Sequence, residues 1–123
     1  MKLRFHGDSL RLRLSQAEVT LLAETGRVQD TLTFAPGQTL SYSLETGAAV
    51  AAAFDGRRIS IVVPAAAAKH WMESDEAGIE GGSGPLKVLV EKDFQCLHSR
   101  EEDADAFPNP IASENPNESA REK

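Results

Sequence analysis

Hydrophobic and polar residues alternate over the first fourteen positions of the chain. The polar segment 6–9, which has the composition of a turn, is the one interruption. Period-two alternation places one set of side chains on the buried face of a strand and the other set in solvent. The pattern therefore predicts a β-hairpin that buries Leu3, Phe5, Leu10, Leu12 and Leu14 and exposes Lys2, Arg4, Arg11 and Arg13.

A short helix is predicted directly after this hairpin. Residues 15–18, Ser-Gln-Ala-Glu, match a capping box, in which the Ser15 hydroxyl and the Glu18 carboxylate satisfy two backbone amides. Gly26 is well placed to adopt the left-handed conformation that ends a helix. A helix of this length needs packing against a sheet, because isolated short helices are marginal in water.

A second hairpin is predicted from strands at 28–34 and 40–44, joined by a turn that contains Pro36 and Gly37. Asp30 shares a strand face with apolar residues of the first of these strands. Because a buried, unpaired carboxylate is costly, we expect Asp30 to lie near a sheet edge or beside a partner.

The second half of the chain begins with another hairpin. An alanine-rich strand ends at Phe54, and a β-branched strand follows over 59–63. Asp55 and Gly56 between them predict a two-residue turn in which both positions have positive φ.

A second helix and a last strand follow this hairpin. Pro64 suits the first turn of a helix at 65–73, where its missing amide is no loss. Trp71 is predicted to be a core residue of this helix. The glycine-rich segment 81–85 predicts a flexible loop, and 86–94 predicts the final strand.

The two halves align at an offset of 49 residues. Four of the twenty positions 5–24 are then identical to their counterparts: Phe5 and Phe54, Gly7 and Gly56, Ala17 and Ala66, Glu24 and Glu73. This indicates either a duplicated ββαββ unit or two hairpin-helix units that share a common pattern. Both readings predict one α+β domain over residues 1–99, with seven to eight mostly antiparallel strands and two short helices.

The formal net charge of the chain is −6 and is unevenly distributed. Residues 100–123 carry seven acidic and three basic residues, so the domain before them has a net charge of only −2. This tail is polar and acidic, and its composition predicts disorder after about residue 111. The acidic balance argues against a general nucleic-acid binder, whose affinity comes from Lys and Arg on phosphates.

The location predicted from these features is the cytoplasm. Cys96 is the single cysteine, so no internal disulfide can form. The first residues lack the continuous apolar core of a signal peptide. No apolar run approaches the length of about 20 residues that spans a bilayer, so no membrane association is expected.

Cys96 and His98 are the sharpest candidates for chemistry. With the acidic run 101–105 they form a set of thiol, imidazole and carboxylate groups that zinc accepts, although the spacing matches no known zinc motif. They could instead act as nucleophile and base in a thiol-dependent enzyme, since residues two apart on a strand share a face. The remaining alternative is a strand end with no chemical role. No cofactor motif is present, and no cofactor is expected.

The exposed face of the first hairpin is the candidate binding surface, and we call it the basic face: Lys2, Arg4, Arg11 and Arg13. Arginine side chains grip carboxylates and phosphates with paired hydrogen bonds, whereas an ordinary charged surface would have the same composition. If the basic face binds, we expect an acidic protein segment. The nearest is the run 101–105 of this chain or of a neighbouring copy, which makes oligomers conceivable.

Several stretches resemble a family of small bacterial proteins that contain a domain of unknown function. These are MKLRFHGDSLRLRLSQAEV at the start, WMESDEAGIE in the middle, and VEKDFQCL and DAFPNP towards the end. The resemblance spans most of residues 1–110. It implies a stable bacterial cytoplasmic domain and assigns no activity, ligand or site residue.

Overall fold

The computed structural model describes residues 1–94 and contains eight strands and two helices in that range. In chain order they are β1 (Lys2–His6), β2 (Ser9–Leu14), α1 (Gln16–Thr25), β3 (Arg27–Ala35), β4 (Gln38–Gly47), β5 (Ala51–Phe54), β6 (Arg58–Pro64), α2 (Ala65–Glu73), β7 (Gly78–Ser83) and β8 (Leu86–Lys92). The predicted α+β class is confirmed. Neither helix is long and apolar enough to cross a membrane. The predicted domain boundary at 99 and the predicted disorder after 111 lie outside the described residues.

The strands form two four-stranded sheets, with orders β1-β2-β8-β7 and β3-β4-β6-β5. Each sheet contains two antiparallel hairpins, one from each half of the chain. The hairpins are joined at the centre of the sheet by one parallel pair, β2 with β8 or β4 with β6. The pairing is therefore mostly antiparallel, as predicted, and every sheet depends on contacts between the two halves.

The two halves occupy equivalent places in this topology. Exchanging β1-β2-α1-β3-β4 with β5-β6-α2-β7-β8 converts the strand order of one sheet into that of the other. Leu22 on α1 and Trp71 on α2 lie 49 positions apart, and both are fully buried. This arrangement is what a duplication would produce, but the origin of the repeat stays a prediction.

The core lies between the sheets, and one cluster joins the inward side chains of both sheets to the helices. Leu12 from one sheet and Ile61 from the other are completely shielded from solvent. Trp71 is a core residue, as predicted, and its indole Nε1 donates to the Ala77 carbonyl at 3.1 Å. This bond satisfies the one polar atom that burial of the ring removes from water.

Both helices begin where the sequence predicts, with one difference at α2. In α1, the Ser15 hydroxyl accepts from the Glu18 amide at 3.3 Å, and the Glu18 carboxylate accepts from the Ser15 amide at 2.9 Å. Gly26 ends this helix with φ of 79°. Pro64 is the N-cap residue of α2 instead of a residue of its first turn, because it also completes strand β6.

The turn after Phe54 is longer than the predicted two-residue turn. Gly56 has φ of 93°, whereas Asp55 has negative φ. The Asp55 carboxylate accepts from the amides of Arg57 and Arg58 at 2.9 and 2.8 Å. These backbone hydrogen bonds hold the pKa of the Asp55 carboxyl below its usual value. The prediction is wrong because the aspartate side chain, and not a tight backbone turn, satisfies the amides.

The predicted loop at 81–85 is also wrong, because β7 continues through Ser83 and pairs with β8. Gly81 lies against Val50, the residue before β5 of the other sheet, and a Cβ added to Gly81 would be 2.7 Å from a Val50 methyl carbon. The Ala52 amide donates to the Ser83 hydroxyl at 3.1 Å, which also ties β5 to β7. The glycine at position 81 therefore reflects close packing between sheets and not flexibility.

The first hairpin buries fewer side chains than its alternation predicts. Leu10, Leu12 and Leu14 are buried on β2, and Leu3 on β1 is half-buried. Phe5 is 60% exposed. The alternation correctly places Phe5 on the inward face, but β1 is an edge strand and Phe5 lies next to the turn, where the sheets leave an open cleft.

Candidate functional site

The strand register places the four basic side chains on one face of the first hairpin. Lys2 is the cross-strand partner of Arg13, and Arg4 is the partner of Arg11. Directly opposed residues on one sheet face have Cβ atoms about 5 Å apart. The basic face is thus a compact patch on the side of the sheet away from the core. That it binds a partner stays a prediction.

Strand β8 brings two carboxylates to the same face. Arg13 Nε donates to Glu91 Oε1 at 3.1 Å, and Arg11 Nε lies 3.6 Å from the same oxygen. Lys2 Nζ lies 2.8 Å from Asp93 Oδ2. These carboxylates reach the basic face because β8 is a central strand beside β2.

The charges on this face do not cancel. The four cationic side chains and the two carboxylates give a formal charge of +2. Both carboxylates approach from the β8 side, and Glu91 lies level with Arg13 in the parallel register, whereas the register partner of Arg11 is Leu89. Arg4 and Arg11 form the end of the basic face nearest the turn, and neither is the register partner of a carboxylate.

A cleft of about 340 Å³ opens at this end of the basic face and is lined by Arg4, His6, Ser9 and Arg11. The Ser9 hydroxyl donates to the His6 carbonyl at 2.6 Å and so fixes the turn below the cleft. Two guanidinium groups and an imidazole supply several N–H donors in one place. Such an arrangement can hold a carboxylate or another oxyanion with charge-assisted hydrogen bonds.

His6 and Ser9 were not expected to belong to the site. His6 falls in the segment 6–9 that the sequence predicts to be a turn, and in the structure it is the exposed last residue of β1. The signal that places it in the cleft is the same alternation that defines the basic face. Position 6 continues the series of Lys2 and Arg4, and position 9 begins the series of Arg11 and Arg13.

The amino group of Met1 holds β1 against the rest of the domain. It donates to the carboxylate of Glu18 on α1 and, at 3.1 Å, to Asp30 Oδ2 on β3. The Tyr42 hydroxyl donates to the Met1 carbonyl at 2.9 Å. Asp30 therefore lies beside a partner on an edge strand, which satisfies both expectations for this carboxylate.

The pKa values of the groups in this contact show whether burial or the hydrogen bonds and charge interactions dominate. Burial by itself lowers the pKa of the Met1 amine, but hydrogen bonds and charge interactions with Glu18 and Asp30 outweigh it, and that pKa is raised above 8.0. Burial likewise raises the pKa of Glu18, but the bonds from the Met1 amine and from Ser15 lower it below 4.5. Burial and then the charges of Asp30 and Glu18 raise the pKa of Tyr42. The ion pair is thus stabilised in its charged form.

The predicted metal or thiol site lies elsewhere in the chain. Cys96 and His98 are outside the described residues. Within residues 1–94, no group of three or more His, Cys, Asp or Glu side chains is arranged to hold a metal ion.

Comparison with known proteins identifies the family of the chain. Searches of curated proteins and of solved structures give no match. A family model described as a family of unknown function, DUF7009, matches residues 1–111, a range that includes both sheets and both helices. The resemblance stated from the sequence is therefore confirmed, and the chain belongs to DUF7009, a family of unknown function.

Proposed function

We propose that this domain is a non-catalytic binding module of the bacterial cytoplasm that holds an acidic protein segment on its basic face. The observation that carries the proposal is the opposed pair Arg4 and Arg11, which lines a cleft with His6 and Ser9. Two guanidinium groups held at this spacing by the strand register match the paired oxygens of side-chain carboxylates.

The charge distribution favours a short acidic segment over a nucleic acid. A nucleic-acid site typically neutralises about 6–10 phosphates along a continuous basic track. Here the excess is +2, and Glu91 and Asp93 border the basic face on the β8 side. These carboxylates would repel a polyanion that extended across the sheet, whereas a short acidic segment needs to contact only the end of the face that carries Arg4 and Arg11.

The acidic run 101–105 of the chain itself is a suitable occupant, in the same molecule or in a neighbouring copy. Six residues separate Phe94 from the start of this run, so the seven steps from Phe94 to Glu101 span at most about 25 Å when extended. Strand β8 has seven residues and runs parallel to β2, so this reach is comparable to the length of the basic face. An acidic segment of another protein would meet the same chemistry.

Calorimetric titration of the full chain with a pentapeptide of the sequence of residues 101–105 tests the proposal. Replacing both arginines of the cleft, Arg4→Ala with Arg11→Ala, should weaken binding about tenfold or more, because each supplies charge-assisted hydrogen bonds. Arg57→Ala with Arg58→Ala is the matched control, since it removes the same charge from an exposed turn. Equal losses in both double variants would contradict a specific site.

A further variant distinguishes the two sources of the acidic segment. Replacing the carboxylates of the run by amides, with Glu101→Gln, Glu102→Gln, Asp103→Asn and Asp105→Asn, keeps the full chain and removes its internal competitor. If the run occupies the basic face, the added peptide should bind more tightly to this variant. Unchanged affinity would assign the site to a separate protein.

A further inference from the structure

A second, apolar cleft lies at the end of the domain where the hairpins turn. It has a volume of about 420 Å³ and is lined only by apolar residues, which come from both sheets: Phe5, Leu10, Leu40, Ala52, Ala53, Phe54, Ile59 and Leu86. Both helices begin at the opposite end of the sheets, because α1 starts just after the end of β2 and α2 starts at the end of β6. The core is thus covered at the helical end and accessible at the turn end.

Exchanging the first and second halves of the chain also exchanges the residues that form the opposite walls of the cleft. Phe5 and Phe54 are equivalent, as are Leu10 and Ile59, each pair separated by 49 positions. Leu40 lies two residues before Tyr42, the register partner of Ile59. Leu86 correspondingly lies two residues before Val88, the register partner of Leu10. The cleft therefore has approximate two-fold symmetry.

The phenylalanines at this end are exposed in the isolated chain. Phe5 is 60% exposed and Phe54 is 67% exposed. On the β3–β4 hairpin, Phe34 is 69% exposed, and Leu32, the cross-strand partner of Leu40, is 48% exposed. Contiguous apolar surface of this kind in a soluble domain usually marks an interaction site.

We propose that the turn end is the contact surface between two copies of this chain. A two-fold dimer buries the same patch on both partners, so the patch must be compatible with itself. The lining of the cleft carries no charge, so the two clefts themselves oppose no like charges. A small-molecule site would instead gather a few polar groups around its apolar wall, and no residue of the lining has a polar side chain.

The exposed area is sufficient for a weak dimer. Three phenylalanines that are each about two-thirds exposed offer roughly 400 Å² of apolar surface, at about 200 Å² for a whole side chain. This is about half of the roughly 800 Å² that each partner contributes to a standard interface. Because this apolar area is smaller than that of a standard interface, association in the micromolar range or weaker is expected.

Dimerisation and the basic face are independent in this arrangement. On β1 and β2 the cleft residues Phe5 and Leu10 alternate with Arg4 and Arg11, so the two surfaces lie on opposite sides of the sheet. A dimer through the turn end leaves the basic face accessible. Failure of one proposal therefore does not affect the other, and Arg4→Ala with Arg11→Ala should leave association through the turn end unchanged.

Analytical ultracentrifugation of the full chain, over about 1–500 µM to cover the expected affinity range, tests the proposed dimer. A concentration-dependent dimer is expected, and Phe5→Ser with Phe54→Ser should weaken it about tenfold or more, as loss of central aromatic anchors does. Leu21→Ser is the control, because Leu21 is 46% exposed on α1, away from the cleft. A monomer at all concentrations, or a dimer weakened equally by the control, would overturn the proposal.

An amide NMR dilution series is a second test of the proposed dimer. It uses only the unaltered chain, so its result does not depend on whether a variant folds. The amides of the turns, including Gly7, Gly37, Gly56 and Gly84, should shift with concentration, whereas amides of α1 and α2 should not. Absence of shifts at the turns, or equal shifts throughout the domain, would overturn the proposed contact surface.

Discussion

Arg13 and Glu91 are register partners on the parallel strands β2 and β8, and Arg13 Nε donates to Glu91 Oε1 at 3.1 Å. The contact joins residues 78 positions apart. It means that the basic face contains an acidic group of its own. Any acidic partner of Arg11 and Arg13 has to compete with Glu91 for the same guanidinium groups.

Glu91→Gln should therefore strengthen the binding of an acidic peptide. The substitution keeps the size of the side chain and removes the negative charge from the basic face. We expect about two- to fivefold tighter binding, because partly exposed charge pairs contribute about 0.2–1 kcal/mol. Glu80→Gln is the control, since the Glu80 carboxylate pairs with Lys87 Nζ at 2.8 Å on the β7–β8 hairpin. Calorimetry that finds no gain for Glu91→Gln would show that Glu91 does not compete.

The sequence predicts which residues form the basic face, but it does not predict which strand lies beside that face. Period-two alternation is sufficient to place Arg4 and Arg11 on one side of a hairpin, because a short turn determines which residues are opposed. The same pattern does not say which strand of the second half lies beside β2. Parallel pairing with β8 depends on the packing of the whole domain, and for this reason the contact of Glu91 with Arg13 was not expected.

Stability should depend on the charge of Glu18. Glu18→Gln retains an acceptor for the capping box and removes the charge that pairs with the Met1 amine. At pH 7 we expect the free energy of unfolding, measured with urea, to fall by about 1–2 kcal/mol, as for the loss of a hydrogen bond to a charged group. Glu24→Gln, at an exposed position of the same helix, should change it little. Equal losses would contradict a specific role for the ion pair.

The pH dependence of this difference has a defined sign. The raised pKa of the Met1 amine gives stability that is complete below pH 8.0 and is lost as the pH rises through the folded-state value. The lowered pKa of Glu18 gives stability that is present above pH 4.5 and is lost as the pH falls through its folded-state value. The unfolding free energies of the unaltered chain and of Glu18→Gln should therefore converge at both extremes. A difference that stays constant from pH 6 to pH 10 would contradict the assignment to the Met1 amine.

Two neighbouring glycines of β7 should respond oppositely to alanine. Gly81→Ala places a Cβ 2.7 Å from a Val50 methyl carbon and should lower the free energy of unfolding by about 1–3 kcal/mol. Gly82→Ala meets its nearest atom, the Leu86 carbonyl oxygen, at 3.6 Å. It should be neutral or stabilise by up to about 1 kcal/mol through the unfolded state. Thermal unfolding of both variants provides the comparison.

A compensating substitution tests the reason for the loss at Gly81. Val50→Ala added to Gly81→Ala removes the methyl groups that the new Cβ would meet, and it should recover part of the lost stability. Additive losses in the double variant would show that the contact with Val50 is not the cause. Composition does not distinguish a glycine needed for close packing from one in a mobile segment. For this reason the prediction of a flexible loop at 81–85 is wrong.

The exposed phenylalanines show a similar limit of sequence patterns. Alternation identifies the inward face of β1, and it correctly places Phe5 there. It does not say whether an opposing sheet closes over that position. Phe5 and Phe54 lie beside turns at the open end of the domain, so the same period that buries Leu12 leaves them 60% and 67% exposed.

Amide NMR mapping of the full chain during titration with the acidic pentapeptide tests the central claim most directly. The account predicts the largest shifts at the backbone of 4–11 and at the Nε–H groups of Arg4 and Arg11, with loss of these shifts when both arginines are replaced by alanine. Shifts concentrated at the apolar turn end or on the helices, with the basic face unchanged, would contradict it.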